Sequence, residues 1–165
     1  MGDRLRLLLP GNFVVARSIL FDKTPEENWP VAWHQDLTIA LRGQADVPGY
    51  GPWSIKEGAP HVQPPTALLE NMVTLRIHLD DTPAGNGALA VIPGSHLHGR
   101  TPANGVAARV QGPVICECRT GDVLMMSPLI LHSSKRAVAP RRRRIVHFEY
   151  ARQGDLAENL EWLES

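Results

Sequence analysis

The sequence predicts a mainly β domain of the cupin-like jelly-roll type, with a few short helices. Gly and Pro are frequent, at 14 residues each, which favours a turn-rich β architecture over a helical bundle. Short apolar segments rich in β-branched residues recur between Gly/Pro clusters, the pattern of an all-β sandwich or barrel. Eight or so such segments suit the antiparallel strands of a jelly roll. A length of 165 residues suits one core, so we expect a single domain over residues 1–165.

Charge and composition argue against several kinds of partner. The chain has 17 Lys and Arg against 17 Asp and Glu, so no global field attracts nucleic acid or anionic lipid. No segment approaches the roughly 18 apolar residues of a membrane span. Two cysteines, Cys116 and Cys118, fit a reducing cytosol and are predicted to be buried core thiols. We therefore expect a cytoplasmic protein that binds neither nucleic acid nor membrane.

The first half of the chain contains two predicted strands, over residues 12–21 and 33–41. Residues 42–65 hold much of the Gly and Pro and show no period, so a long loop is expected there. Ordered loops of that length are usually functional. Tyr50, Trp53 and His61 offer recognition groups, so this segment is a candidate lid or substrate loop.

The second half adds a short helical turn over 66–72 and a strand over 72–81 in which apolar and polar residues alternate cleanly. Thr74, Arg76 and His78 share one face of that strand, so one face is expected to look toward something polar. The remaining predicted strands cover residues 88–96, 114–119, 121–128, 129–134 and 141–151. The segment "GDLAENLEWLE" (154–164) is the one convincing amphipathic helix.

The stretch "WHQD" places an imidazole and a carboxylate two positions apart. In an extended chain, residues i and i+2 point to the same face, so His34 and Asp36 project side by side. Such a pair is either a polar pair at a strand end or part of a metal site. A third ligand is then needed from a distant strand, and His132, which ends an apolar run, is the leading candidate. Two histidines and one carboxylate form the facial triad of non-haem Fe(II) oxygenases.

Four consecutive arginines, 141–144, open the last predicted strand. Alternation places Arg141 and Arg143 on the face of Ile145 and His147, and the other two arginines on the opposite face. An inward arginine in a barrel needs a carboxylate partner. A dicarboxylate co-substrate would provide one through the bidentate geometry that guanidinium favours.

Three stretches together resemble the phytanoyl-CoA dioxygenase family: "WHQD", "NGALAVIPGSHLHG", and "LHSS" with an arginine eleven residues after its histidine. The resemblance runs from about residue 13 to 151. It implies a double-stranded β-helix, that is, a jelly roll that binds Fe(II) and uses 2-oxoglutarate as co-substrate. The chain is shorter than is usual in this family, mostly at the N-terminus.

Carried over by position, the resemblance implies iron ligands at His34, Asp36 and His132. It places the arginine that binds 2-oxoglutarate at position 143, with a supporting hydroxyl at Ser134. In the family, the strand matching residues 72–81 lines the co-substrate pocket, which adds Thr74 and Arg76. Some relatives have an aromatic residue at position 76, so Arg143, Arg141 and Arg76 all remain candidates for the co-substrate partner.

The expected activity is that of an Fe(II)- and 2-oxoglutarate-dependent dioxygenase that hydroxylates a small organic molecule with O2 and releases succinate and CO2. Because Asp36 occupies the position that related halogenases leave for chloride, hydroxylation is the favoured reaction. Two alternatives stay open: a catalytically inactive jelly-roll binding protein, and a cupin-like metal enzyme that does not use 2-oxoglutarate. The sequence gives no indication of the oligomeric state.

Overall fold

A computed structural model describes Leu9 and residues 11–164 of the chain. This part contains eleven strands and two short α-helices, with 3-10 turns between them. The strands are β1 (Phe13–Lys23), β2 (Val31–His34), β3 (Ile39–Ala40), β4 (Trp53–Lys56), β5 (Ala59–Val62), β6 (Val73–His78), β7 (Leu89–Val91), β8 (Val114–Cys116), β9 (Val123–Met126), β10 (His132–Ser134) and β11 (Arg143–Arg152). The helices are α1 (Thr66–Asn71) and α2 (Val106–Arg109). Single 3-10 turns occupy Ala84–Asn86, Ser95–His98, Ala103–Gly105 and Gln153–Asp155.

The strands form three antiparallel sheets. The large sheet has the order β1-β11-β6-β9, the small sheet the order β2-β10-β7-β8, and a three-stranded sheet the order β3-β5-β4. This mainly β arrangement confirms the predicted jelly-roll class, with eleven strands in the described part instead of about eight. None of the described helices is long and apolar enough to cross a membrane.

The main hydrophobic core does not lie between the large and small sheets. It lies where the three-stranded sheet meets α1 and the C-terminal segment, and its most deeply buried side chains include Ile39, Leu41, Leu69, Leu129 and Trp162. Because the apolar core is displaced to this side, the space between the inner faces of the two larger sheets stays free for a cavity.

The predicted strand over 33–41 is interrupted. β2 ends at His34, and pairing resumes only at β3 (Ile39–Ala40). Gln35 explains the break, because its buried side-chain amide donates to the carbonyls of Gly99 and Leu129 and accepts a bond from the backbone N–H of Thr101. These side-chain contacts anchor the chain at the break, where it has no neighbouring strand to pair with.

The prediction of a long irregular loop over 42–65 is wrong in its second half, which forms the hairpin β4–β5. Glu57 and Gly58 make its two-residue turn with φ values of 51° and 81°, as a type I′ hairpin requires. The residues proposed for recognition also lie elsewhere than expected. Trp53 and Tyr50 pack against the hydrophobic core, and His61 is buried within β5.

The predicted helix over 154–164 is also wrong. After the 3-10 turn Gln153–Asp155, the chain runs along the edge of the three-stranded sheet, where Trp162 forms an isolated bridge with Leu41. Two backbone hydrogen bonds, Arg42 N–H to Glu161 O and Leu163 N–H to Ala40 O, hold it there. Burial of Leu160 and Trp162 in the core outweighs the helix propensity of this segment.

Three smaller expectations need correction. Cys116 and Cys118 are half-buried free thiols and not deeply buried core residues. The sequence also predicts that Met125 and Met126 are core residues; Met126 is buried, but Met125 is half-exposed on the other face of β9. Arg141 is exposed and precedes β11, so strand alternation does not place its side chain on the inner face.

Candidate metal centre and its cavity

Strand pairing brings together three residues that are distant in sequence. β2 and β10 are antiparallel neighbours in which His34 lies opposite His132. Asp36 follows at the end of β2, where its backbone N–H donates to Pro128 O at 2.9 Å. His34, Asp36 and His132 each offer a ligand atom, and these atoms all lie within 4.8 Å of one another.

Both imidazoles have the same orientation. Their Nδ1 atoms lie 2.8 Å from Ala32 O and 2.9 Å from Ile130 O, each carbonyl being two residues earlier in the chain. A carbonyl oxygen only accepts, so Nδ1 carries a proton in both rings, which leaves Nε2 as the nitrogen of each ring that could bind a metal. Both Nε2 atoms point toward Asp36, at 3.5 Å for His34 and 3.6 Å for His132. Backbone carbonyls in this position fix metal-binding histidines in other proteins.

The carboxylate of Asp36 is ionised. Burial alone would raise the pKa of Asp36, but its contact with His34 and the nearby rings of His132 and His147 hold it well below its usual range. The pKa of His132 is lowered by burial, which favours the neutral ring that a metal requires. The pKa of His34 is raised by Asp36, against the opposing effect of burial.

The three side chains fit a divalent cation. Asp36 Oδ2 is buried and has no hydrogen-bond partner among the described residues. An unpaired buried carboxylate oxygen is costly unless a cation or donor meets it. Two imidazole nitrogens and one carboxylate oxygen, held on one side, match the donor set that suits Fe(II).

A cavity of about 300 Å³ opens beside this group, between the large and small sheets. The large sheet contributes a ladder of inward residues from β1 and β11, in which Lys23 is opposite Arg143, Phe21 opposite Ile145, Ile19 opposite His147 and Arg17 opposite Glu149. One end of this ladder is therefore cationic, its middle largely apolar and its other end of mixed charge.

Arg143 is buried at the cationic end, in contact with the small sheet. One terminal nitrogen donates to Gly87 O, and the other lies 3.3 Å from Ser134 Oγ. Ser134 Oγ itself donates to Gly87 O at 2.9 Å. The guanidinium and the hydroxyl thus form one unit at this end, and both residues line the cavity.

Gly87 makes that unit possible. Its φ is +71°, and a Cβ there would lie 2.8 Å from the backbone oxygen of Lys135 and 3.3 Å from the Arg143 guanidinium. Only glycine accepts this backbone conformation without strain. The "GNG" turn that precedes β7 therefore has a structural role in seating Arg143.

Lys23 faces Arg143 across the β1–β11 ladder. Its ammonium donates to Trp29 O at 2.6 Å and lies 4.4 Å from the centre of the Trp29 ring. Burial and the charges of Arg143 and Arg76 lower the pKa of Lys23 to about 8. The charged ammonium is therefore in an unfavourable environment, and an anionic ligand in the cavity would stabilise it.

Arg76 occupies the middle of the cavity wall on β6, opposite His147. Its terminal nitrogen lies 2.9 Å from His147 Nδ1, and its guanidinium lies 5.2 Å from the centre of the Phe21 ring. Burial lowers the pKa of Arg76 to about 10, although the charge of Asp36 opposes this shift. Arg76 therefore remains a cation close to the metal group.

The structure does not bring every proposed residue to the cavity. His34, Asp36, His132, Arg143, Ser134 and Arg76 all line it. Thr74 is fully buried, its hydroxyl has no partner among the described residues, and it is not among the residues lining the cavity. Arg141 does not line it either, and only its backbone N–H has a contact, to Asn86 Oδ1.

Sequence reasoning missed the roles of β1 and of the far end of β11. Arg17, Phe21 and Glu149 line the cavity, as do Lys56 and Glu57 at the tip of the β4–β5 hairpin. The alternation of Arg17, Ile19, Phe21 and Lys23 along β1 was the available signal. It shows which residues share a face, but the covering sheet must be known before that face can be identified as the inner one.

The fold and the site together define a jelly-roll domain in which two histidines and one carboxylate that could hold a metal ion lie beside a cavity with a cationic end. The chain belongs to the phytanoyl-CoA dioxygenase (PhyH) family, whose model matches residues 7–145. This confirms the resemblance drawn from "WHQD", "NGALAVIPGSHLHG" and "LHSS". No protein with a curated description matches the chain significantly.

Solved structures share the fold at low sequence identity. AviO1 from Streptomyces viridochromogenes Tue57 is 24% identical, with a TM-score of 0.62 over 92% of this chain and 57% of that one. EctD from S. alaskensis, solved with 2-oxoglutarate and 5-hydroxyectoine, is 20% identical, with a TM-score of 0.64 over 91% of this chain and 48% of its own. A nickel complex of the non-heme monooxygenase ThoJ is 20% identical, with a TM-score of 0.61 over 91% of this chain and 49% of its own. The chain thus spans about half the length of these proteins.

Proposed function

We propose that this chain is an Fe(II)- and 2-oxoglutarate-dependent oxygenase that hydroxylates a small organic substrate. One observation carries the proposal: the His34–Asp36–His132 group and the Arg143–Ser134 unit open onto the same cavity. A metal site alone would suit many enzymes. A metal site that shares a pocket with buried cations suits a dicarboxylate co-substrate that must reach the metal at one end and a guanidinium at the other.

Each residue has a defined task in this proposal. His34, Asp36 and His132 would hold Fe(II), and the carbonyls of Ala32 and Ile130 keep the two rings in the ligating tautomer. When bound, iron and 2-oxoglutarate supply the oxidising chemistry, consuming O2 and releasing succinate and CO2. Asp36 fills the carboxylate position, which favours hydroxylation over halogenation.

Arg143 is the proposed partner of the distal carboxylate of 2-oxoglutarate. It is buried, Ser134 lies beside it, and Lys23 faces it across the ladder. Arg76 is nearer the metal group, where its charge acts on Asp36. We therefore assign the distal carboxylate to Arg143 with Lys23, and we assign Arg76 to the wall around the metal.

The comparisons support the chemistry at the level of class. The matching family is described as phytanoyl-CoA dioxygenase, EctD was solved with 2-oxoglutarate and ThoJ with nickel. Another protein of this fold, SnoN, is described as a non-heme alpha ketoglutarate dependent epimerase. Reaction outcomes therefore vary on this fold, and hydroxylation by this chain is proposed from Asp36.

Anaerobic reconstitution with Fe(II) and 2-oxoglutarate tests the proposal. We expect a visible metal-to-ligand charge-transfer band that saturates with 2-oxoglutarate and is absent in His132→Ala. Circular dichroism of each sample controls for folding. Folded wild-type protein that binds iron but gives no band would contradict the proposal and favour a cupin-like enzyme without 2-oxoglutarate. Folded protein that binds neither would favour a binding protein.

A further inference from the structure

We propose that Glu149, with Arg17 beside it, forms the substrate subsite and takes a hydrogen-bond-donating group, either an ammonium or a hydroxyl. This inference rests on the proposed function, because it assigns the cationic end of the cavity to the co-substrate. It adds a specificity-determining residue and a substrate class: small molecules that carry an N–H or O–H donor at the end remote from Arg143.

Glu149 is placed to meet a ligand inside the cavity. It lies on the same face of β11 as Arg143 and His147, opposite Arg17 of β1, and it lines the cavity although only 5% of it is exposed. Six positions separate it from Arg143, which corresponds to about 20 Å along an extended strand. The two residues therefore mark opposite ends of the inner ladder.

The carboxylate of Glu149 is buried without a close partner. The side-chain nitrogens that lie within 4.0 Å of it are His147 Nε2 at 3.5 Å and an Arg17 terminal nitrogen at 4.0 Å. Charge-assisted hydrogen bonds are about 2.7–2.9 Å long, and within the described residues Glu149 makes none of that length. His147 Nε2 is likewise buried with no hydrogen-bond partner in the described part of the chain. A buried carboxylate is normally satisfied by donors, so its free acceptor capacity points to a donor supplied from the cavity.

The charged residues at this end of the cavity determine which kind of donor group can bind there. Arg17 and Lys56 are balanced there by Glu57 and Glu149, whereas Lys23 and Arg143 form a purely cationic pair at the other end. A substrate carboxylate placed beside Glu149 would meet a like charge, and the nearby guanidinium of Arg17 is already shared between Glu149 and Glu57. An ammonium or a hydroxyl can donate to Glu149, and a hydroxyl can also accept from Arg17.

Arg17 does not satisfy the hydrogen-bond acceptors of Glu149. Its guanidinium is divided between Glu149 at 4.0 Å and the exposed Glu57 at 3.6 Å. Glu57 lies at the tip of the β4–β5 hairpin with a left-handed φ of 51°, an uncommon conformation for a residue other than glycine. The guanidinium of Arg17 is therefore shared between the two carboxylates and lies within charge-assisted hydrogen-bond distance of neither.

Binding of matched probes tests the subsite. n-Butylammonium, 1-butanol and butyrate are titrated into the 165-residue chain, with dissociation constants taken from NMR chemical shifts. We expect the ammonium and alcohol probes to shift the amides near Glu149 and, measured on those amides, to bind at least about tenfold more tightly than butyrate. In Glu149→Gln, which keeps the shape, the preference of ammonium over butyrate should fall by about tenfold. Glu70→Gln, at an exposed position on α1, makes the same charge change and should leave the preference intact.

A second variant separates a substrate role from a structural one. In Arg17→Gln the competing cation is removed, so butylammonium should bind more tightly than to the wild type. Unchanged or weaker butylammonium binding in this variant would overturn the inference. Retention of the ammonium preference in Glu149→Gln would overturn it as well.

The outcome is independent of the test of the proposed function. Titrations are run on the chain alone and on the anaerobic complex with Fe(II) and 2-oxoglutarate. A charge-transfer band without a Glu149-dependent probe preference refutes the subsite and leaves the oxygenase proposal standing. A Glu149-dependent preference without the band supports the donor subsite and refutes the co-substrate assignment.

Discussion

In the large sheet the usual distribution of polarity is reversed, with charged and polar side chains on the buried inner face and apolar side chains on the outer face. Its inner face buries charged and polar side chains, namely Lys23, Arg76, Arg143, His147 and Glu149. Its outer face carries an apolar row across all four strands, in which Leu20, Val146, Ile77 and Val123 are register partners. Leu20 is 60% exposed and Val123 is 53% exposed. The sheet is therefore organised around ligand binding on its inner face, and the main core lies elsewhere.

This reversal has an energetic consequence. Buried charged and polar groups are costly unless they are paired and hydrogen-bonded, and several partners on the inner face are loose or lacking, such as those of Glu149 and of His147 Nε2. The outer face could bury apolar area but leaves part of it exposed. Active sites commonly carry strain that lowers stability in exchange for function, and here one sheet shows both effects.

The largest expected effect is a difference in 2-oxoglutarate binding between variants of two adjacent arginines that lie on opposite faces of β11. Arg143 points inward to Ser134, whereas Arg144 points outward and pairs with Asp80 at 2.8 Å. Arg143→Ala should weaken 2-oxoglutarate binding by about 10- to 100-fold, because charge-assisted hydrogen bonds contribute about 1.5–3 kcal/mol. Arg144→Ala should leave it unchanged. Titration of the anaerobic iron complex measures both.

The opposite result would reassign the co-substrate. If Arg143→Ala keeps wild-type affinity while Arg76→Ala loses it, the distal carboxylate binds Arg76. Iron affinity, measured in parallel, should survive Arg143→Ala because that residue is not one of the three ligands.

A second prediction concerns the turn that seats Arg143. Gly87→Ala should destabilise the fold by about 1–3 kcal/mol through strain at a positive φ and contact with the Lys135 backbone. It should also weaken 2-oxoglutarate binding, because the new methyl group displaces the guanidinium. Gly85→Ala, in the same turn, would meet only Ala139 Cβ at 3.9 Å and should behave like the wild type. Urea unfolding compares the two, and equal midpoints would contradict the prediction.

A third prediction is a pH dependence that arises at Lys23. Its pKa is lowered to about 8 in the folded chain, first by burial, from 10.5. Between about pH 8 and 10.5 the unfolded chain therefore binds more protons than the folded chain, so this residue makes stability rise with pH in that window. Below pH 8 both states hold the proton, and the folded state carries the unfavourable buried charge.

The matched variant for this effect is Lys23→Met. The difference in the free energy of unfolding between variant and wild type should be largest at pH 7 and should shrink as pH rises toward 10. Urea titrations across that range measure the difference. A constant difference would show that the burial of Lys23 does not shift its protonation.

The sequence was sufficient to predict the elements that depend on local pattern. The β6 alternation indicated that Arg76 and His78 share a face, and both are buried. The order of "HxD", histidine and arginine indicated which residues converge, and the β2–β10 pairing brings His34 opposite His132. The shared face of Arg76 and His78 follows from the two-residue period of strands, whereas the convergence of the distant residues was implied by the family resemblance.

Elements whose structure is decided by contacts between residues distant in sequence could not be predicted in this way. Residues 154–164 have helical periodicity, but pairing of Trp162 with Leu41 at a sheet edge prevails. The β4–β5 turn uses Glu57 where Asn or Asp is the usual signal. Glu149 could be assigned to a face of β11, but only the position of the small sheet shows that this face is buried.

The smallest expected effect lies on the outer face. Val123→Thr replaces one methyl group by a hydroxyl at a position that is 53% exposed, so the free energy of unfolding should change by less than about 0.5 kcal/mol. Iron and 2-oxoglutarate affinities should not change, because Val123 is not among the described residues that line the cavity. Ile145→Thr, at a buried inner position that lines the cavity, should destabilise the chain by more than 1 kcal/mol, roughly the effect of a polar group in a core. Urea unfolding of both variants makes the comparison direct: similar losses would mean that the outer face is covered in solution and that the two faces are equally buried.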